Sequence, residues 1–369
     1  MKQQRSTPGV MRRLAAPLFL LVCGTWAACG KGSEPAIVAP ESTSTEYRGL
    51  KDAAPYPVGV ALQASRLESV PRNGLVEKVF SSVTAEYEMK MEPLSTGPGQ
   101  YAWDAVDRLV DYAEARNMQV HGHTLVWHQT TPAWLENFVG DDAAFEEAVR
   151  VYITDVVTRY RGRVISWDVV NEAFEDGTGA LRNSAFRRRM GDDYLERVFQ
   201  MARDADPSVL LFYNDYGSIW DEAKKTAILD MVDRFQTNDV PLDGVGLQMH
   251  VTYNSPPLEN ITDMMNELVR RGLKIHMSEL DIRANPDGDL TTLTGARSEA
   301  QKARVKAIVG AFNDLPEANR FAITLWGLLD PDSWLIEFWG NPEWPLLFDS
   351  QFRPKPAYFG FLEALEERS

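Results

Sequence analysis

Eight short apolar runs alternate with amphipathic stretches along most of this chain, and that order restricts the possible folds more than any other feature. The runs are PVGVAL (57–62), FSSVTAE (80–86), QVHGHTLVW (119–127), VISWDVVNE (164–172), VLLFYND (209–215), GVGLQMH (244–250), KIHMSEL (274–280) and FAITLWG (321–327). Their length and their β-branched and aromatic content are those of strands. Between them, stretches such as DAVDRLVDYAEARN place Val106, Leu109, Val110 and Ala113 at the i, i+3, i+4, i+7 spacing of one buried helical face. Similar patterns begin near Asp141, Asp193, Asp221, Pro257 and Ala296, and a last one covers Pro356 to Glu367. Eight such alternations in about 320 residues predict an α/β fold, a single closed (β/α)8 TIM barrel, over an open doubly wound sheet.

The chain before the first run is different in kind. Lys2, Arg5, Arg12 and Arg13 precede LAAPLFLLVCGTWAAC, which has the charge and length of an export signal; with Pro17 inside it, the stretch is too short for a comfortable membrane span. Both cysteines, Cys23 and Cys29, lie in this leader, so the exported domain is expected to hold no disulfide. The WAAC ending at Cys29 resembles a lipoprotein cleavage box, although Trp26 stands where a branched aliphatic is usual. Two fates stay open, lipid attachment at Cys29 or ordinary cleavage nearby. A segment rich in Ser, Thr, Pro and Glu follows. The expected organisation is a leader over 1–29, a tether over 30–49 and the barrel over 50–369, in an extracellular protein or one anchored to the cell envelope. A net charge of −15, spread along the chain, disfavours nucleic acid and anionic membrane surfaces as partners and favours a neutral substrate. A monomer is expected, touching a membrane only through a lipid on Cys29.

No strand-like run leads into GxGxxG or GxxxxGK, so no nucleotide cofactor is expected. The runs finish instead on polar or aromatic residues: Glu86, Trp127, Glu172, Asp215, His250, Glu279 and Trp326. One glutamate at a strand end is ordinarily a solvated end. Seven such ends, converging on the carboxyl-terminal face of a barrel, form a site. WDVVNEAFED poses the question most sharply, because Val169 and Val170 call for burial and the ionisable Glu172 follows almost at once.

Glu172 ends the fourth run and Glu279 the seventh, across the barrel from each other. Opposed carboxylic acids suit glycosidic cleavage, one protonating the departing oxygen and the other meeting the oxocarbenium charge. Side chains two apart share a strand face, which pairs Glu279 with Asp281 and Gln248 with His250. His276, three residues before Glu279, is expected to point away from the barrel axis in a structural role. A rival is a metal site: His121 and His123 share a face, and His250 could be a third ligand. The chain has only five histidines and its HxH lies on the third run, so no metal is expected. Trp127, Trp134, Trp326, Trp334, Trp339 and Trp344, near strand ends or in the loops after them, would offer flat faces to sugar rings.

The stretches VTAEYEMK, GHTLVWH, WDVVNEAF, NDY, GLQMH, SELDI, LWGLLDPDSW and PLLFDSQFRPKPAY, in this order, resemble glycoside hydrolase family 10, the endo-β-1,4-xylanases, from about Pro57 to Phe361. The resemblance implies that Glu172 is the acid/base and Glu279 the nucleophile. It further implies that Asn171 bonds the sugar 2-hydroxyl and that His250 and Asp281 orient the nucleophile. Glu86, Lys90, His123, Trp127, Gln248, Trp326 and Trp334 fall on the sugar-lining positions. The reaction implied is retaining and needs no cofactor, with carboxyl groups about 5–5.5 Å apart. This sequence departs from the family pattern at Tyr87, where asparagine is usual, at Gln129, one position early, and in the loop Leu335–Trp344, which lacks an arginine and adds tryptophans. Two alternatives accompany xylan hydrolysis: a β-1,4- or mixed-linkage glucanase on the same scaffold, and a sugar-binding protein without catalysis.

Overall fold

The structure, a computed structural model, describes residues 47–68 and 74–367. The expected leader with Cys23 and Cys29, and the expected tether up to residue 46, lie outside the described residues.

Every one of the eight runs forms a parallel strand: β1 Val58–Leu62, β2 Ser82–Ala85, β3 Gln119–Trp127, β4 Ser166–Asn171, β5 Leu210–Asp215, β6 Gly244–Leu247, β7 Lys274–Arg283 and β8 Arg320–Leu325. Neighbours in sequence are neighbours in the sheet, and β8 pairs with β1 through Ile323 opposite Val58, so the barrel closes. A barrel helix follows each strand, with shorter helices in some of the loops: α1 Leu75–Val79, α2 Trp103–Glu114, α3 Asp142–Arg159, α4 Tyr194–Ala205, α5 Glu222–Thr237, α6 Leu258–Arg270, α7 Gly295–Asn313 and α8 Pro356–Glu366. A small hairpin, Ser95–Gly97 with Gln100–Tyr101, interrupts the alternation after β2. Its strands are too short to leave a period-two signal.

Local chemistry sets the helix starts. Asp141 accepts the amide N–H of Ala144 at 2.8 Å and Asp221 those of Ala223 and Lys224, giving orphan N–H groups partners where α3 and α5 begin. Val106, Leu109, Val110 and Ala113 of α2 are fully buried, the face anticipated from their spacing. Each such aliphatic side chain contributes roughly 1.5–3 kcal/mol on burial. The folded body includes residues before 50, since the Tyr47 ring packs edge-on against Tyr358 of α8 at 5.0 Å.

Two expectations from strand alternation are overturned. His276 points into the barrel, not away from its axis. Its Nε2 lies 2.8 Å from Thr324 Oγ1, and its ring meets His121, Phe212 and Phe321, from three other strands, at 4.7–6.1 Å. Nor does Glu279 end its strand, because β7 continues to Arg283. The strand runs on because Asp281, Ile282 and Arg283 pair with His250, Val251 and Thr252. The β7–β8 register slips between Met277 and Leu280, so His276 and Ser278 face inward and Glu279, one position on, still reaches the mouth. A bulge breaks strict alternation.

A comparable break answers the question posed by the fourth run. Ser166 and Asp168 both contact histidines of β3, so alternation would turn Asn171 outward. The β4–β5 register slips between Asp168 and Val170, and Glu172, just past the strand, has φ +56°. Successive residues thereby face one cleft: Asn171 Nδ2 donates to Glu172 Oε1 at 3.2 Å. A left-handed φ away from glycine costs about 1–3 kcal/mol and persists only where the surroundings impose it. The sixth run is also split. It stops at Leu247, Met249 has φ +60°, and a separate segment His250–Thr252 pairs with the end of β7, setting His250 opposite Asp281.

Candidate active site

Glu172 and Glu279 lie at the carboxyl-terminal mouth of the barrel, 6 % and 5 % exposed, each with hydrogen-bond partners for its oxygens. Glu172 Oε2 accepts from Trp127 Nε1 at 2.9 Å, and Oε1 from Gln248 Nε2 at 2.9 Å and Asn171 Nδ2. Glu279 Oε1 accepts from Asn214 Nδ2 at 2.7 Å, while its Oε2 lies 3.3 Å from His250 Nε2.

Behind Glu279 the chain of groups continues outward. His250 Nδ1 donates to Asp281 Oδ2 at 2.9 Å, and the same oxygen accepts from Trp334 Nε1 at 3.0 Å. The Trp334 and His250 rings are 5.0 Å apart. Burial opposes the imidazolium, but Asp281 and Glu279 outweigh it and raise His250 to about 10. Burial by itself would push the Glu279 carboxyl up; the His250 hydrogen bond, with His123, His250 and Lys90 nearby, reverses that and holds it below the ordinary carboxylate range. The result is an ionised carboxylate fixed in orientation inside a poorly solvated pocket, which is how a carboxylate is prepared for nucleophilic attack.

The remaining anticipated residues gather around this pair. His123 Nδ1 bonds Asp168 Oδ2 at 2.8 Å, and its ring meets Trp326 edge-on at 5.2 Å. Lys90 Nζ lies over the Trp127 ring at 4.9 Å and near Trp326 at 5.9 Å. Burial draws Lys90 down against the charges of Glu279, Glu86 and Glu172. Glu86 accepts from Gln63 Nε2 at 3.0 Å, and burial pushes its carboxyl up. The Trp134 N–H donates to the Ser95 carbonyl at 3.1 Å, and the Trp344 backbone carbonyl accepts from Gln301 Nε2 and Lys355 Nζ, both at 2.7 Å.

Two important groups escape a sequence reading. Asn214 is fully buried and donates one amide proton to Glu279 and the other to Asn171 Oδ1, at 2.9 Å; Ser278 Oγ in turn donates to Asn214 Oδ1 at 2.6 Å. Its only signal was its place beside Asp215 at a strand end. Asp168, between His121 at 3.0 Å and His123, is the other. His121 and His123 share this one carboxylate, while His250 serves Asp281 and Glu279. Among the described residues no group of three or more His, Cys, Asp or Glu is arranged to hold a metal ion.

The family model for glycosyl hydrolase family 10 matches residues 49–364, nearly the whole described body. The chain belongs to glycosyl hydrolase family 10. It is 38 % identical over 361 residues to an endo-β-1,4-xylanase, Xyn10C, of Cellvibrio japonicus, covering 89 % of this chain and 59 % of that protein. Endo-1,4-β-xylanase B of Paenibacillus barcinonensis is 35 % identical, with 86 % and 98 % covered. The chain thus spans well under two thirds of the Cellvibrio relative. Among solved structures, a mutant of xylanase 10C from Cellvibrio japonicus in complex with xylopentaose superposes with a TM-score of 0.83 at 37 % identity, covering 88 % of this chain and 70 % of that one.

The departures from the family 10 pattern spare the two carboxylates. Tyr87, beside Glu86, is 46 % exposed. Gln129 is exposed in the short turn after Trp127. The altered loop forms a short helix, Trp334–Trp339, whose Phe338 and Trp339 rings stand in solvent next to Trp334.

Proposed function

We propose that this protein is a retaining endo-β-1,4-xylanase acting on internal bonds of xylan or xylo-oligosaccharides. The observation that carries the reading is the depressed carboxyl of Glu279, held by the His250–Asp281–Trp334 chain and joined to Glu172 through Asn171 and Asn214.

In this reading Glu279 attacks the anomeric carbon as the glycosidic C–O bond breaks, and Glu172 gives its proton to the departing oxygen. A covalent glycosyl–Glu279 ester results. Glu172, now a carboxylate, takes a proton from water, whose oxygen displaces Glu279 and restores the original β-configuration. Asn171, whose amide already bonds Glu172, is placed to meet the sugar 2-hydroxyl. Lys90, Glu86, Gln248 and His123 supply polar contacts and Trp127, Trp326 and Trp334 flat faces, suited to a neutral polyol with apolar ring faces.

Proton NMR of the first products from xylohexaose tests both halves of the reading. β-Anomers from internal cleavage support it; α-anomers, or no products, overturn it. Running β-1,4-glucan and mixed-linkage glucan alongside decides the sugar, and faster release from either would replace xylan as the substrate.

We further propose that residues 1–29 direct export, on the strength of the basic start and apolar stretch. Fractionating cells that express the native chain and Cys29→Ser distinguishes the two fates: release by the substitution shows a lipid anchor, and soluble native protein shows ordinary cleavage.

A further inference from the structure

The peptide link between Glu172 and Ala173 is held at both of its polar atoms by one closed ring of side chains. Its carbonyl oxygen accepts from Arg182 Nε at 3.0 Å. Arg182 Nη2 donates to the Tyr216 hydroxyl at 3.0 Å, which donates to Asp176 Oδ2 at 2.8 Å. Lys224 Nζ pairs with Asp176 Oδ1 at 2.6 Å and with Asp215 Oδ1 at 3.2 Å. Asp215 Oδ2 accepts from the Tyr213 hydroxyl, and that hydroxyl accepts the N–H of Ala173 at 3.0 Å, returning to the same peptide link.

Three properties set this ring apart from an ordinary surface network. Each proton along it has an acceptor, because both hydroxyls accept on one side and donate on the other. Its formal charges balance, Arg182 and Lys224 against Asp176 and Asp215, with burial pushing the Asp215 carboxyl up to about 7. It is also anchored in the core, since Lys224 and Tyr213 are fully buried and Asp215 nearly so. Enclosing an ammonium without partners is costly, so Lys224 holds its place only while both aspartates hold theirs. The Lys224 ammonium further lies over the Tyr216 ring at 3.6 Å, which ties the outer half of the ring to the inner half.

What the ring encloses explains its use. Glu172 has the left-handed backbone its side chain does not favour, and a strained residue keeps its conformation only if its surroundings over-determine it. Gripping the oxygen and the N–H of one peptide unit fixes the plane of that unit, and with it the rotation of the Glu172 backbone. Trp127 and Gln248 then constrain the carboxyl itself. We propose that Tyr213, Asp215 and Lys224 are positioning residues that aim Glu172 at the departing glycosidic oxygen. None of the three is among the groups that contact the carboxyl of Glu172 or Glu279. The inference rests on the reading of Glu172 as the acid/base.

Two aryl β-xylobiosides, one with a dinitrophenolate and one with a poor phenolate leaving group, test it in Tyr213→Phe, Lys224→Met and the charge-free pair Lys224→Met/Asp215→Asn. The double variant removes both buried charges together, so it and Tyr213→Phe serve if Lys224→Met alone does not fold. A misaimed proton donor slows only the bond that needs a proton. The expected result is kcat/KM lowered at least about tenfold for the poor leaving group, part of the ~10²–10⁴-fold contribution of a positioned general acid. For dinitrophenyl xylobioside kcat/KM stays within about twofold while kcat and KM fall together, as the slowed second step accumulates the glycosyl-enzyme. Equal losses on both substrates, or none on either, overturn the proposal. Glu172→Ala serves as the reference: if it fails to steepen the leaving-group dependence, the acid/base reading itself falls, whereas a steep Glu172→Ala with flat ring variants defeats the ring alone.

Discussion

The amide of Asn214 donates to the carboxylate of Glu279 at 2.7 Å and leaves its other proton for Asn171. One buried side chain thereby ties Glu279 to the residue that precedes Glu172. Asn214 is itself positioned by Gly246, its cross-strand partner: a Cβ on Gly246 would lie 2.2 Å from Asn214 Oδ1. Gly246→Ala should displace the amide, lower kcat by an order of magnitude or more with little change in KM, and cost about 1–3 kcal/mol of stability. Steady-state kinetics and urea unfolding check both parts; unchanged kcat would remove Asn214 from the functional account.

Glu279→Ala should abolish hydrolysis of xylan. With a reactive aryl β-xylobioside, azide should restore turnover by entering the space left by the carboxylate and give the α-glycosyl azide. Glu172→Ala with azide should instead give the β-azide, because its glycosyl-enzyme still forms. NMR of the azides distinguishes the two roles, and reversed products would exchange the assignments.

Stability should carry the signature of His250. Its folded value is raised from about 6.5 to about 10 by Asp281 and Glu279. A group bound more tightly to its proton in the folded state stabilises fully below its unfolded value and loses that stabilisation as pH climbs through the folded one. The contribution is therefore intact below pH 6.5 and fades toward pH 10. His250→Gln should lower unfolding free energy near neutrality by on the order of a few kcal/mol and flatten its decline across this window. Urea titrations at several pH values measure the slope; a slope unchanged by the substitution would show that His250 does not carry it.

Trp339 is half exposed, and the Arg283 guanidinium, paired with buried Glu343, lies over its ring at 4.4 Å. Trp339→Ala should leave the melting temperature within a degree or two and raise KM for long xylan severalfold, with xylobioside kinetics untouched. An unaltered KM on xylan would place this ring outside the cleft.

The barrel itself was legible in the sequence. Strand and helix periodicities are local, so PVGVAL or DAVDRLVDYAEARN declares its buried face without knowledge of its neighbours, and Asp141 and Asp221 mark helix starts by capping their own first turns. The polar residues at the strand ends were visible for the same reason, and once the eight strands close, their ends must share a face. Glu172 and Glu279 could therefore be placed on one face from the order of the strands alone.

Tertiary structure decided how those side chains are aimed. The slips in β4 and β7 and the left-handed Met249 arise because unequal strands must pair around a closed cylinder, a condition no single segment contains. Alternation accordingly misdirected His276 and concealed that Ser278 and Glu279 both face inward. Asn214, Asp168 and the ring around Lys224 were hidden for a related reason: most of their partners lie on other strands or loops, and a buried polar group reveals its purpose only when the atom it satisfies stands beside it. Periodicity alone determined where the chain turns its apolar faces, whereas only closure of the barrel determined which polar atoms meet.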